Sequence, residues 1–128
     1  MTILKAATVG VSPTGTNGSA AANGDSDTFV GEIAGLYINY ASDAPATTDV
    51  VVKDKRTGVE IFRVNNANTD IYKVPAIAAV DNANANLLSA TANGVHARPY
   101  CVDQGVNVDV AGANSATNQV VVTVFYRK

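Results

Sequence analysis

His96 and Cys101 are the chain's one histidine and one cysteine, the natural candidates for general-base or nucleophilic work near neutral pH. His96 stands between Val95 and Ala97, with Arg98 two positions on, and no serine or cysteine nucleophile sits at a recognisable spacing from it. A working Cys–His pair would need these neighbours in one probable strand to be re-aimed by a bulge. Cys101, between Tyr100 and Val102, reads as a small core filler, because free cysteine is among the most buried residue types. A zinc centre wants about four nitrogen or sulfur ligands, and these two side chains cannot supply them. Oxygen-rich stretches occur at Asn65-Asn66-Ala67-Asn68-Thr69-Asp70 and Asp81-Asn82-Ala83-Asn84-Ala85-Asn86. They lack the glycine and terminal glutamate of a calcium-binding EF-hand loop, and Asn and Asp also suit turns by tolerating left-handed backbone. Five tyrosines, at 37, 40, 72, 100 and 126, could form a sugar platform, but tryptophan is absent and they fall inside strand patterns. No catalytic residue, metal ligand or cofactor site is expected, and the chain does not read as an enzyme.

The totals set outer limits. The 128 residues fit one domain, long enough to bury a core without staples, and a single cysteine cannot form an internal disulfide. Hydrophobic residues make up 47% of the chain but aromatics only 6%, which points to a thin, β-branched core of Val and Ala. A net charge of −2 supplies no electrostatic pull toward nucleic acid. Lys53, Lys55 and Arg56 are the only basic cluster, and a solvated hairpin tip accounts for them. No apolar run approaches a membrane-spanning length, and the first residues lack a basic region followed by an apolar core. The expectation is a protein that is intracellular at synthesis, without nucleic-acid or membrane partners.

Elements that would position these side chains follow from period-two patterns. Val106-Asn107-Val108-Asp109-Val110 and the stretch from Val120 to Tyr126 alternate apolar with polar or neutral residues. Leu36, Ile38 and Tyr40 share one face of another strand. Val50 and Val52 begin a hairpin whose tip, Lys55-Arg56-Thr57-Gly58, supplies a glycine, and Val59, Ile61 and Arg63 continue it on one face. Short strands are expected over residues 69–74, closed by Pro75, and over 97–102, where Pro99 points to an edge or a strand start. Residues 76–94, rich in Ala, Asn and Asp with few large side chains beyond Leu87 and Leu88, fit a short helical turn or a loop, and loop is preferred. Seven to eight strands with turns every ~8–12 residues predict an all-β, antiparallel sandwich or jelly roll. The predicted core includes Leu36, Ile38, Val50, Val52, Ile61, Val108, Val122 and Val124.

The local wording resembles the small β-sandwich capsid decoration, or cement, proteins of tailed bacteriophages. The resemblance lies in Leu36-Tyr37-Ile38-Asn39-Tyr40, followed by Ala44-Pro45-Ala46-Thr47-Thr48-Asp49-Val50-Val51-Val52, and in Arg98-Pro99-Tyr100-Cys101-Val102 ahead of a glycine-initiated valine strand. It covers most of residues 28–128. It implies a structural virion protein on the capsid exterior, bound to the major capsid protein, commonly as a homo-oligomer (dimer or trimer). Other virion or surface modules (fibre, tail or pilus-like subunits) and a glycan-binding sandwich are the competing readings.

Residues 1–27 read as an N-terminal arm and flexible linker ahead of a sandwich domain over 28–128, with a first strand over residues 3–11 joined by a long surface loop as the equal alternative. Ile3, Leu4, Val9 and Val11 are too apolar for a free tail, while the Gly, Ser and Asn after them favour a flexible span. About fifteen such residues reach roughly 20 Å by random-coil scaling. These four side chains are therefore the expected partner-binding residues, ordered against another copy or the capsid shell. His96 and Cys101 are expected to be idle. Replacing either with Ala should leave co-sedimentation with particles within a few-fold of wild type, and complete loss with the fold intact would reveal an unrecognised site.

Overall fold

The computed structural model describes residues 4–78, 82–85 and 97–128. These residues form eleven strands and no helix, so none that is long and apolar enough to cross a membrane. In chain order the strands are β1 (Leu4–Val11), β2 (Ala20–Asp25), β3 (Gly31–Tyr40), β4 (Asp49–Asp54), β5 (Glu60–Val64) and β6 (Ile71–Lys73). There follow β7 (Ala76–Ala78), β8 (Ala97–Pro99), β9 (Cys101–Val102), β10 (Val106–Ala113) and β11 (Val120–Arg127). A front sheet runs β1-β11-β3-β6, with β9 pairing β3 beyond the end of β6, and a back sheet runs β2-β10-β4-β5. Every pairing is antiparallel. β7 and β8 pair with each other as a separate ribbon, joining Ala76 to Pro99 and Ala78 to Ala97.

Period-two alternation makes the core. In the front sheet, register aligns Val9, Val122, Ile38 and Ile71 in one inward row, and Val11, Val120 and Tyr40 in the next. The back sheet answers with Val108 opposite Val52, and Val110 opposite Val50. Valine suits this surface because its branched Cβ packs well on a pleat and loses little rotamer freedom there. All eight residues expected in the core are buried. Three features differ from the sequence reading. Val59, Ile61 and Arg63 do not share a face, because the register with β4 shifts at Val52 and Lys53. This irregularity leaves Ile61 unmatched between Glu60 and Phe62, turning it inward while Val59 and Arg63 stay exposed. Residues 97–102 are two strands, not one, broken at Tyr100. The expected loop over 76–94 begins as strand β7, and the rest of it, apart from residues 82–85, lies outside the described residues.

The largest correction concerns residues 1–27. Over their described part, residues 4–27, they are not an arm and flexible linker. β1 zips against β11 over eight consecutive pairs, from Leu4 with Arg127 to Val11 with Val120. Val9 and Val11 lie in this chain's own core. β2, composed of Ala, Asn, Gly and Asp, pairs with β10. Its composition reads as loop, but at Gly24 the site admits only a small residue. Gly24 lies against β1, and a Cβ there would stand 3.2 Å from Val9 Cγ1. The turn between them is also held. Asn118 N–H donates to Ser12 Oγ at 2.9 Å, Ser115 N–H to Asn17 Oδ1 at 3.0 Å, and Gly18 N–H to the Ala113 carbonyl at 2.9 Å.

Deleting residues 1–12 should therefore unfold the protein. Burial of Val9 and Val11 alone is worth about 3–6 kcal/mol, a large part of the ~5–15 kcal/mol that stabilises a typical domain. Urea unfolding followed by circular dichroism checks this, and a truncated chain with an unchanged midpoint would contradict it.

Candidate interaction surface

The two outward faces of the sandwich differ in kind. On the back sheet, Asp25, Asn107, Lys53 and Glu60 form one cross-strand row, and Asn23, Asp109, Val51 and Arg63 the next. Its charges are spent on one another. Lys53 pairs with Asp109, Lys55 stands 4.0 Å from Asp25, Arg63 Nε donates to Glu60 at 2.8 Å, and Asn107 Nδ2 donates to Asp25 at 2.7 Å. Each exposed pair is worth little, but together they keep this face wetted.

The front face carries almost no charge. Its rows read Ala6, Phe125 and Gly35, then Thr8, Thr123, Tyr37 and Tyr72, then Gly10, Val121 and Asn39. Only the terminal row, Leu4, Arg127, Glu32 and Cys101, is ionic, and no ion pair joins Arg127 to Glu32. Tyr72 is 54% exposed, and its ring lies 6.3 Å from Phe125. It lies over Gly35, where any Cβ would collide with the Tyr72 hydroxyl, so this glycine is the seat of the aromatic ring. Tyr37 donates to Asp70 Oδ2 at 3.2 Å, and that hydrogen bond, followed by burial and the Asp70 charge, raises the Tyr37 pKa. Strand spacings make the neutral area about 15 Å across at its widest row and about 14 Å long.

At one end of this face a cleft of about 390 Å³ is lined by Val30, Glu32, Cys101, Val102, Arg127 and Lys128. A neighbouring cleft of about 370 Å³ is lined by Ala34, Val74, Pro75, Ala97, Pro99 and Arg127, between β3 and the β7–β8 ribbon. Val74 and Ile77 nearby are exposed, extending the apolar character beyond Tyr72.

Of the residues expected to bind a partner, Leu4 alone is on this face, at 59% exposure. Ile3 lies outside the described residues, and Val9 and Val11 are internal. His96 also lies outside them. Cys101 is exposed, correcting its reading as core filler: at a two-residue strand, alternation buries Val102 and turns the thiol out. Among the described residues no group of three or more His, Cys, Asp or Glu could hold a metal. The Asn/Asp-rich run over 65–70 serves the backbone instead. Asp49 accepts from Asn66 N–H at 2.8 Å, Asp70 from Tyr40 N–H at 2.8 Å, and Asn68 donates to the Ala44 carbonyl at 2.9 Å. Sequence reasoning passed over the front face. Its signal was the neutral second register of β1 and β11 (Ala6, Thr8, Gly10; Val121, Thr123, Phe125) beside the Asn and Asp of β10.

No protein-family model, curated protein or solved structure matches this chain.

Tyr40 shows how tightly the loop end beneath the face is closed. Its hydroxyl is buried and meets no hydrogen-bond partner among the described residues. Burial first, then the charges of Asp70 and Asp49, push its pKa up to about 12. Unfolding returns it toward 10.0, so the folded state binds the proton more tightly. Stability from this group is intact below that unfolded value and falls as pH rises toward 12. Tyr40→Phe should gain about 1–3 kcal/mol, the cost of an unmatched buried hydroxyl, and should blunt the alkaline loss. Denaturant melts across the alkaline range test both, and a variant less stable than wild type would refute them.

Proposed function

We propose that this chain is a structural virion protein that binds the outer surface of a phage capsid and stabilises junctions between major capsid proteins. The observation that carries the reading is the contrast between the uncharged front face and the ion-paired back face. A neutral sheet bearing an aromatic anchor sheds its water at modest cost, whereas the back face would have to break its charge pairs to do so. The wording of residues 36–52 and 98–110, similar to that of capsid decoration proteins, supplies the identity of the partner.

Reinforcement of this kind is mechanical. A rigid sandwich laid across a junction holds both sides in one relative position, and each copy needs only a contact of standard size, about 1,000 Å² or more in total. Many weak contacts around a closed shell then add to a large resistance against opening. Tyr72 would be the anchor, seated on Gly35 beside Phe125 and already restrained before contact. The same exposed tyrosine favours a second reading, stacking against a sugar ring.

Particles of the virus whose genome encodes the chain provide the test. Wild-type protein should co-sediment with them, and Tyr72→Glu should weaken binding about tenfold or more, as expected for a central aromatic anchor. Asn23→Lys, on the back face, should bind like wild type. Absence from purified particles, or equal loss with the back-face variant, would refute the reading. Saturable saccharide binding abolished by Tyr72→Glu would favour the glycan reading.

A further inference from the structure

A sheet edge is a row of unpaired N–H and C=O groups, and proteins ordinarily guard it against pairing with another chain. This sandwich guards its edges unequally. β5 carries Glu60 and Arg63 and is kinked by the irregularity at Ile61. β6 has three residues and is followed closely by Pro75, and β9 has two. β2 places Asn23 and Asp25 outward, and its register with β10 shifts between Val110 and Ala113. β1 has none of these protections. It is eight residues long, pairs with β11 without a bulge, contains no proline, and bears one charge, Lys5.

Part of that edge is covered internally. Near Val9 and Val11 the strand leans on Gly24 of β2, with the Gly10 carbonyl 3.6 Å from where a Cβ of Gly24 would stand. Residues 4–8 are free of this contact, and among the described residues no other strand pairs with their outer side. Leu4, Lys5, Ala6 and Thr8 are exposed there.

We infer that the edge of β1 over residues 4–8 pairs antiparallel with the same segment of a second copy, joining two front sheets into one. The segment matches itself. An antiparallel two-fold centred on Ala6 sets Leu4 against the partner's Thr8 and Lys5 against the partner's Ala7. No like charges meet, and front-facing residues lie beside front-facing residues. Such a contact makes roughly four to six interstrand hydrogen bonds by the antiparallel pattern. The axis stands normal to the sheet, so both neutral faces point the same way and the dimer presents one plate twice as wide. The pairing goes beyond the capsid reading and does not depend on it; only the use of the widened plate does.

Sedimentation velocity of the full chain over a concentration series tests the inference. Wild type should approach twice the chain mass. Ala6→Lys and Ala6→Glu, each at an exposed position, should raise the dimer dissociation constant about tenfold or more, because like charges then face each other across the axis. An equimolar mixture of the two variants should recover the dimer. A wild type that stays monomeric, variants that still dimerise, or a mixture that stays monomeric would each overturn the proposal. Should either variant lose its β-type circular dichroism, amide exchange of wild type decides: protection over residues 4–8 that rises with concentration supports the pairing, and its absence overturns it. Particle binding separates the two readings. Binding by a monomeric wild type sinks the dimer and spares the capsid role, whereas a dimer that ignores particles does the reverse.

Discussion

Everything in this fold hangs on β11 having both of its hydrogen-bonding edges occupied. It takes β1 on one side and β3 on the other, and its Val120, Val122 and Val124 are fully buried between the sheets. The last strand of the chain thus fastens the first. With no disulfide possible, this non-local ladder and the valine layer behind it replace a covalent staple. The chain also changes sheet at most of its connections, from β1 to β2, β2 to β3, β3 to β4, β5 to β6, β9 to β10 and β10 to β11. Neither sheet can leave without drawing the other open.

Polar side chains close the ends that apolar ones cannot. Gln119 is completely buried, yet its amide donates to Asp43 at 2.9 Å and accepts from Asn114 N–H at 3.1 Å. Asn114 in turn reaches the Asp43 carbonyl at 2.8 Å and accepts from Gly18 N–H at 3.1 Å. Three turns far apart in sequence are tied by side chains that each match a backbone group. Gly112 belongs to the same seam: its φ of 63° and its closeness to the Thr47 carbonyl leave no room for a Cβ. Asn, Ser and Gly, which in isolation suggest looseness, here hold a rigid end.

With shape so constrained, the difference between the two faces becomes the main functional variable. The back sheet compensates its charges locally, and the front sheet has almost none to compensate. A neutral face of that kind gives up bound water more easily than the ion-paired one. Its usefulness would lie in stiffness, area and repetition.

The sequence by itself determined the strands whose two faces differ: β3, β4, β10 and β11 were legible because Val, Ile and Leu recur every second residue. It also determined that the core would be β-branched and free of disulfides. Only the tertiary structure decided the role of residues 4–27. β2 has little apolar alternation to read, and Gly24 is small to fit beneath β1, a long-range steric demand invisible to any local pattern. Val9 and Val11 announced burial in the sequence but not against what. Their partner, β11, lies more than a hundred residues away, and a pairing at that separation is settled by which edge stands open once the rest has packed. The same holds for the front face. Neutral residues on β1, β3 and β11 are unremarkable strand by strand, and they become a surface only when the register lays them side by side.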